Sequence, residues 1–298
     1  MNNIACGTVT FREYPLEEAL KRIKYAGYEY VEPQATPPFC PHINVDKDDP
    51  EKFKQLLRSM GFKGGTALWA TYGALLVENK CVEYGKKSVE WAAAAGLPGI
   101  NIGDGFKPNG MSDDDALKLI EDRLAQILET AEKYKVYVAI EPHGTFSMNA
   151  IGLKKLMSLS VSPWLGINYD TANVHRAPYV ETHGGSYIWK STGTKHNEVA
   201  VLKEIVNRVV HVHIKDVKGD KCVVLGQGDV DIKGCLEVLK KSNYKGPLSL
   251  ETEGDFNADS GEKLISESRD YLLKTLEGIK YKCENNVNRQ IQSQVSFA

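Results

Sequence analysis

Short apolar, β-rich segments and longer segments of helical spacing take turns along the whole chain. Ile4–Thr10 predicts a first strand, and Leu16–Ala26 a helix that stops at Gly27. Tyr28–Glu32 is the second strand. Pro50–Met60 is the second helix, with Pro50 suited to a first helical position because an N–H there would have no partner anyway. Phe62–Leu68 predicts a third strand, Glu78–Ala95 a helix closed by Gly96, and Gly99–Gly103 a fourth strand. Ser112 is placed to cap the next helix, which runs to about Tyr134. Acidic Asp113–Asp115 fall in its first turn, where the helix dipole favours them.

The second half keeps the rhythm with stronger strands. Val136–Glu141 (VYVAIE), Leu165–Asp170 (LGINYD), Arg208–Lys215 (RVVHVHIK) and Pro247–Glu251 (PLSLE) are the fifth to eighth strands. Helices are expected over Asn149–Ser158, Asn197–Val206, Ile232–Ser242 and Gly261–Ile279. Such alternation calls for a parallel sheet with helical crossovers. Eight units with no break in composition predict an α/β fold, a single-domain (β/α)8 TIM barrel over residues 1–279. The rival is an open doubly wound sheet, but the first strand-to-helix turn lacks the GxGxxG of its nucleotide-binding members. Residues 280–298 are a polar, Asn/Gln-rich tail expected to wrap the surface, contact a neighbour or be disordered. Two connections, Gln34–Asp49 and Asn173–His196, are too long for turns and leave the carboxyl ends of strands, where barrels place their active sites. They are expected to be lid or rim loops.

Composition narrows the partners. A formal net charge of -2 and the absence of any Lys/Arg run argue against a nucleic-acid groove. No apolar stretch approaches the roughly 18 residues of a membrane span, and the start lacks a signal-peptide core. The six cysteines are scattered without CxxC or zinc-like spacing, as in reduced thiols of a cytoplasmic protein.

The last four strands end in unusual chemistry: Glu141-Pro-His143, Asp170-Thr-Ala-Asn173, His211-Val-His213-Ile-Lys215 and Glu251-Thr-Glu253. Apolar residues precede each group, so burying the strands carries ionisable side chains to the barrel mouth. Period-two geometry sends Glu141 and His143 the same way, and His211 with His213. One acid at a strand end is ordinarily a helix cap or a salt-bridge partner. Several on successive strands repel one another in a poorly solvated mouth unless a cation offsets them. Lys215 alone is placed to help, and a dication suits better. Oxygen donors with one imidazole favour Mn2+, with Mg2+ or Co2+ as alternatives, over a structural Zn2+.

IEPH (140–143), DTAN (170–173), HVHIKD (211–216) and LSLETEG (248–254) stand in the order and spacing of the xylose-isomerase-like superfamily. The chain resembles in particular its sugar phosphate isomerase/epimerase group, which includes ketose 3-epimerases, hydroxypyruvate isomerase and inosose dehydratases. LGQGDVDI (225–232) is similar to that group's Gly-rich loop. The resemblance implies one metal ion held by Glu141, Asp170, His213 and Glu251, with His211 a neighbour. Asn173 falls where epimerases often carry a His that touches substrate.

The resemblance further implies enolisation: a chelated carbonyl, with Glu141 and Glu251 taking and returning the proton beside it. His143 is the competing base or a hydrogen bonder, and Lys215 either steadies oxyanion charge or pairs with Glu253. Substrate contacts are expected from His143, Asn173, His211, Lys215 and Trp69, with Tyr72, Phe106 and Trp189 as further aromatic candidates, and His42 or His175 reaching in from the loops. Proton return gives an isomer or epimer. Loss of a neighbouring group instead gives a lyase, as in the dehydratases and in the C-glycoside deglycosidases, whose related subunit pairs with a small partner. The assembly is accordingly expected to be a homo-oligomer or a complex with a small second subunit. Two other classes stand as rivals: an endonuclease IV-like nuclease, for which the extra His ligands and a basic face are lacking, and a non-catalytic sugar-binding barrel.

Overall fold

The computed structural model describes residues 2–70, 74–176, 178–183, 186–191, 195–219 and 221–295, with no side chain given for 176, 178–183, 186–191 or 280–295. Eight strands and eight large helices alternate: β1 (Ile4–Gly7), α1 (Leu16–Tyr25), β2 (Tyr30–Glu32), α2 (Pro50–Ser59), β3 in two pieces (Gly64–Gly65 and Leu68–Trp69), α3 (Cys81–Ala95), β4 (Gly99–Gly103), α4 (Asp113–Tyr134), β5 (Tyr137–Glu141), α5 (Ala150–Ser158), β6 (Leu165–Asp170), α6 (Glu198–Ile205), β7 (Val209–Ile214), α7 (Ile232–Lys241), β8 (Leu248–Leu250) and α8 (Ala258–Val295). Every pairing among these strands is parallel.

The sheet closes on itself through β3. Gly64–Gly65 pairs with β2, and Leu68–Trp69 pairs with β4. The Trp69 amide donates to the Pro33 carbonyl at 3.0 Å, and the Ala35 amide to the Trp69 carbonyl at 2.8 Å. The third strand is therefore not the unbroken Phe62–Leu68 run expected, because its backbone changes partner halfway along. β1 is likewise shorter than Ile4–Thr10: Thr8–Phe11 turns into a 3-10 helix. At the far end α8 carries helical backbone to Val295, beyond the expected stop at Ile279. The expected cap at Ser112 is in place, and Asn149 caps α5 in the same way. Ser112 Oγ accepts the Asp115 amide at 3.1 Å, and Asn149 Oδ1 the Gly152 amide at 3.0 Å.

The loop 34–49 is tied down rather than free. Trp91 Nε1 donates to the Asp48 carbonyl at 2.8 Å, Tyr84 to the Ala35 carbonyl at 2.9 Å, and Lys87 pairs with Asp46 at 2.6 Å. The connection after β6 begins with a short helix, Thr171–Arg176, and contains an antiparallel pair, Pro178–His183 with Ser186–Ser191.

Alternation along the strands gives the sheet two chemically different faces. Ile100, Ile102, Val138, Ile140, Ile167, Tyr169, Val212 and Ile214 belong to the apolar core. The alternate positions Asn101, Glu141, Asn168, Asp170, His213, Ser249 and Glu251 are polar, and all are fully buried. One irregularity decides what joins them. Val209 pairs with Ile167, yet His211 pairs with Asn168, so Val210 is an extra residue in the ladder. A one-residue slip exchanges the faces of a strand. The bulge thus puts His211 beside Asn168 and His213 beside Asp170.

Gly166 makes room for this bulge: a Cβ there would lie 2.6 Å from Val210 Cγ2 and 2.7 Å from Cγ1. Gly166→Ala is expected to cost about 1–3 kcal/mol of stability from overpacking, measured by urea denaturation. An unchanged midpoint would show that the bulge does not depend on this glycine.

Candidate metal centre

Register delivers the acids to one level. Glu141 ends β5 beside Gly103, Asp170 ends β6 beside His213, and the Glu251 amide donates to the Ile214 carbonyl at 3.2 Å. As a result Glu141, Asp170, His213 and Glu251 each present a ligand atom within 4.8 Å of the others, all buried. His213 Nδ1 lies 3.2 Å from Glu141 Oε1, 3.3 Å from Glu251 Oε2 and 3.9 Å from Asp170 Oδ2.

Compensation comes from one lysine and the imidazoles. Lys215 Nζ, fully buried, sits 2.6 Å from Glu251 Oε2, 3.0 Å from Asp170 Oδ2 and 3.0 Å from Glu253 Oε2. It also reaches Asn173 Oδ1 at 3.4 Å. His143 Nε2 is 3.1 Å from Glu141 Oε1, and Asn173 Nδ2 donates to the same oxygen at 3.2 Å. Asn168 Nδ2 donates to Glu141 Oε2 at 3.2 Å. The Asn173 amide caps Asp170 Oδ1 at 2.7 Å.

These contacts bend the acid–base properties of the group. Burial raises the Glu141 and Glu251 carboxyls, but His213, with His143 for the one and Lys215 for the other, outweighs it and holds both below the carboxylate range. Asp170 is pushed up to about 6 by burial, with Lys215 pulling against the neighbouring carboxylates Glu141 and Glu251. His213 is driven well above its ordinary value despite burial, by Glu251, Glu32 and Glu141. Lys215 rises in the same way, burial notwithstanding, under Asp170, Glu251 and Glu253.

The donor set fits a dication. Three carboxylates and one imidazole nitrogen converge. Glu251 Oε1 is a buried oxygen with no hydrogen-bond partner among the described residues, and Asp170 Oδ2 has only its ion pairs to Lys215 and His213. Buried oxygens left short of partners in this way are what a cation satisfies.

Other expected site residues fall around this group. Trp69 is buried with its ring centroid 5.4 Å from that of His143 and 6.2 Å from that of His213, walling one side. His143 is anchored through its loop: its amide donates to Ser147 Oγ at 3.0 Å, and Ser147 Oγ donates to Asp104 Oδ1 at 2.5 Å. His211, expected at the substrate, lies one pleat deeper. Its Nδ1 is 2.9 Å from Asn168 Oδ1, its Nε2 is 3.3 Å from Thr66 Oγ1, and burial lowers its pKa to about 4. His42 and His175 are occupied elsewhere, on the Tyr14 carbonyl at 2.9 Å and Glu198 Oε2 at 2.9 Å. Tyr72 and the side chains of His183 and Trp189 lie outside the described residues.

Sequence reasoning missed Glu32, Asn101 and Asn168. Glu32 had a visible signal, an acid closing an apolar strand just as Glu141 and Glu251 do.

Removing Lys215 tests the charge balance. Breaking a buried ion pair on one side costs about 3–5 kcal/mol. Lys215→Met is therefore expected to destabilise the metal-free protein by that order in denaturant titration, with Mn2+ restoring part of the loss.

Comparison with known proteins places the chain among barrels of this kind. Residues 20–275 match the family described as Xylose isomerase-like TIM barrel. A putative L-ribulose-5-phosphate 3-epimerase UlaE of Shigella dysenteriae serotype 1 is 25% identical over 198 residues, 64% of this chain and 62% of that protein. An inosose dehydratase of Clostridium beijerinckii is 24% identical over 185 residues, 55% of this chain and 54% of that protein. The chain thus spans less than two thirds of the length of these relatives. A solved D-tagatose 3-epimerase-like protein superposes with a TM-score of 0.76 at 17% identity, covering 94% of this chain and 99% of that one, which shows the shared fold.

Proposed function

Because the chain belongs to the xylose isomerase-like TIM barrel family, we propose that it is a divalent-metal-dependent enzyme that isomerises or epimerises a keto sugar by moving a proton beside its carbonyl. The observation that carries this reading is the convergence of Glu141, Asp170, His213 and Glu251 on one point, with Glu251 Oε1 buried and unpartnered among the described residues. The epimerase relative supports it.

Glu141, Asp170, His213 and Glu251 are the ligands, and Mn2+ is the ion that three carboxylates and one imidazole suit. The ion, when bound, supplies Lewis-acid polarisation of a carbonyl and steadies the negative charge that develops on the substrate oxygens. Glu251 and Glu141 exchange the proton, one removing it and the other returning it. Of the two, Glu251 is the freer, since Glu141 Oε1 already faces Asn173 Nδ2 and His143 Nε2. His143 either orients Glu141, whose Oε1 lies 3.1 Å from its Nε2, or serves as the base itself. Lys215, Asn173 and His143 are the polar contacts for the sugar, and Trp69 offers an apolar wall against its ring. His211 drops out of the substrate set because Asn168 and Thr66 occupy both of its nitrogens. Cys6, Cys40, Cys81, Cys222 and Cys235 are buried thiols, and the proposed reading is of a protein of the reducing cytoplasm.

A second reading, elimination of water from an inosose-like substrate, is favoured by the dehydratase relative. Both begin with the same proton abstraction and differ in what leaves afterwards.

Glu251→Gln is expected to lower turnover about 100- to 10,000-fold while the protein stays folded. Retained activity on any substrate the wild type converts would remove Glu251 from the chemistry. Ketoses such as D-tagatose, L-ribulose 5-phosphate and an inosose, each with Mn2+ in D2O, separate the two readings. An epimer carrying deuterium at one carbon is the expected product. Loss of water selects the lyase, and turnover without any deuterium uptake argues against free exchange of the proton.

A further inference from the structure

β2 ends in a carboxylate that the proposed reaction does not use. Glu32 is fully buried, and both of its oxygens lie 3.0 Å from His213 Nε2. Asn101 Nδ2 donates to Glu32 Oε1 at 2.6 Å, and the Asn101 backbone is itself fixed by pairing with Trp69 across β3 and β4. The other ring nitrogen of the same histidine, Nδ1, faces Glu141, Glu251 and Asp170. The imidazole thus stands between the three acids and the single carboxylate of Glu32, and presents a different nitrogen to each.

We propose that Glu32 is a positioning residue of the metal centre: it takes the N–H of His213 Nε2 and so commits Nδ1 to the ion. The inference rests on the reading of the quartet as a dication site and adds what aims its only nitrogen donor. The imidazole form that can bind an ion is the neutral one, with one N–H and one lone pair, and a carboxylate can only accept. A carboxylate on Nε2 therefore selects the tautomer whose lone pair is on Nδ1. The same hydrogen bond fixes the tilt of the ring and raises the basicity of the donor nitrogen.

His211 completes the layer without competing for Glu32. Asn168 Oδ1 lies 2.9 Å from its Nδ1, which donates there, and its Nε2 turns to the Thr66 hydroxyl at 3.3 Å. Its Nε2 stays 3.7 Å from Glu32 Oε2, beyond hydrogen-bond length. Glu32, His211 and His213 also present ligand atoms within 4.8 Å of one another, so a second ion there is the rival arrangement.

Titration calorimetry of chelator-stripped protein with Mn2+ alone, on wild type and Glu32→Gln, decides between them. Glutamine keeps the shape but accepts more weakly and can also donate, so the choice of tautomer is released. The expected result is one equivalent in both proteins, with affinity about 10- to 100-fold weaker in the variant. An altered electron paramagnetic resonance spectrum of the bound Mn2+ is expected with it, which a merely structural defect would not give once the folded fraction is accounted for. Unchanged affinity in a folded Glu32→Gln overturns the assignment while leaving the metal centre intact. Two equivalents in wild type falling to one in the variant overturns it as well, because Glu32 is then a ligand. Should Glu32→Gln not fold, Asn101→Ala takes its place: loosening Glu32 must weaken Mn2+ several-fold, and an unchanged constant overturns the proposal. A wild-type protein that takes up no ion overturns both this inference and the reading it rests on.

Discussion

Four carboxylates, Glu32, Glu141, Asp170 and Glu251, are fully buried inside one barrel, and the remainder of the interior is arranged around that electrostatic cost. Each would have to protonate or find a partner, since an isolated buried charge is among the most unfavourable arrangements a fold can hold. The chain supplies one lysine, one central imidazole and a set of amides. Lys215 bridges the upper acids, Asp170, Glu251 and Glu253. His213 is the hinge of the arrangement, because it alone touches both the upper acids and Glu32 below. The acids are incompletely matched even so, and the under-satisfied oxygens of Glu251 and Asp170 are where that mismatch concentrates.

Backbone features serve the same end. The bulge at Val210 brings the two histidines into register with Asn168 and Asp170, and Gly166 gives it space. Below Lys215, the Asp216 carboxylate gathers the amides of Gly226 at 2.8 Å, Gly228 at 3.0 Å and Val230 at 3.2 Å. That clasp ties the Gly-rich loop back to Asp216, two residues past the end of β7 and next to Lys215. Another clasp, Asp104 on the amides of Phe146 at 2.7 Å and Ser147 at 3.2 Å, does the same for the loop that carries His143. The groups proposed to do chemistry are thus held by acids outside that reaction, and these two loops are tied to the barrel.

The barrel and its quartet were legible because both depend on local pattern. Strand periodicity sets the barrel, and acids at the ends of VYVAIE, LGINYD and PLSLE sit where apolar runs stop. What escaped depends on which strands become neighbours. Glu32 is separated from His213 by 181 positions, and only closure of the sheet through β3 brings them to 3.0 Å. Asn101 and Asn168 look like ordinary strand polar residues until the facing acids are known. The break in β3 and the slip at Val210 are equally silent, since both arise from a change of hydrogen-bonding partner. His211 shares a face with His213, but one pleat, about 6–7 Å along the strand, sets it below the level of the quartet.

In the proposed reaction, Asn173 bears most directly on the fate of the substrate once its proton is gone. Its backbone amide caps Asp170, its Nδ2 lies between Glu141 and His143, and its Oδ1 faces Lys215. An asparagine cannot give or take a proton in this pH range, so it orders four titratable neighbours without joining them. On the proposed reading, the groups left to carry protons there are Glu141, His143, Glu251 and Lys215. An outcome of reprotonation requires a charged acceptor on one strand and a donor on another, which Glu141 and Glu251 provide. Elimination requires in addition a donor aimed at the departing oxygen, and His143 and Lys215 are the groups at the mouth that carry such a proton. The distinction between isomerase and lyase in this barrel therefore reduces to which side of the sugar faces β5 and which faces β7.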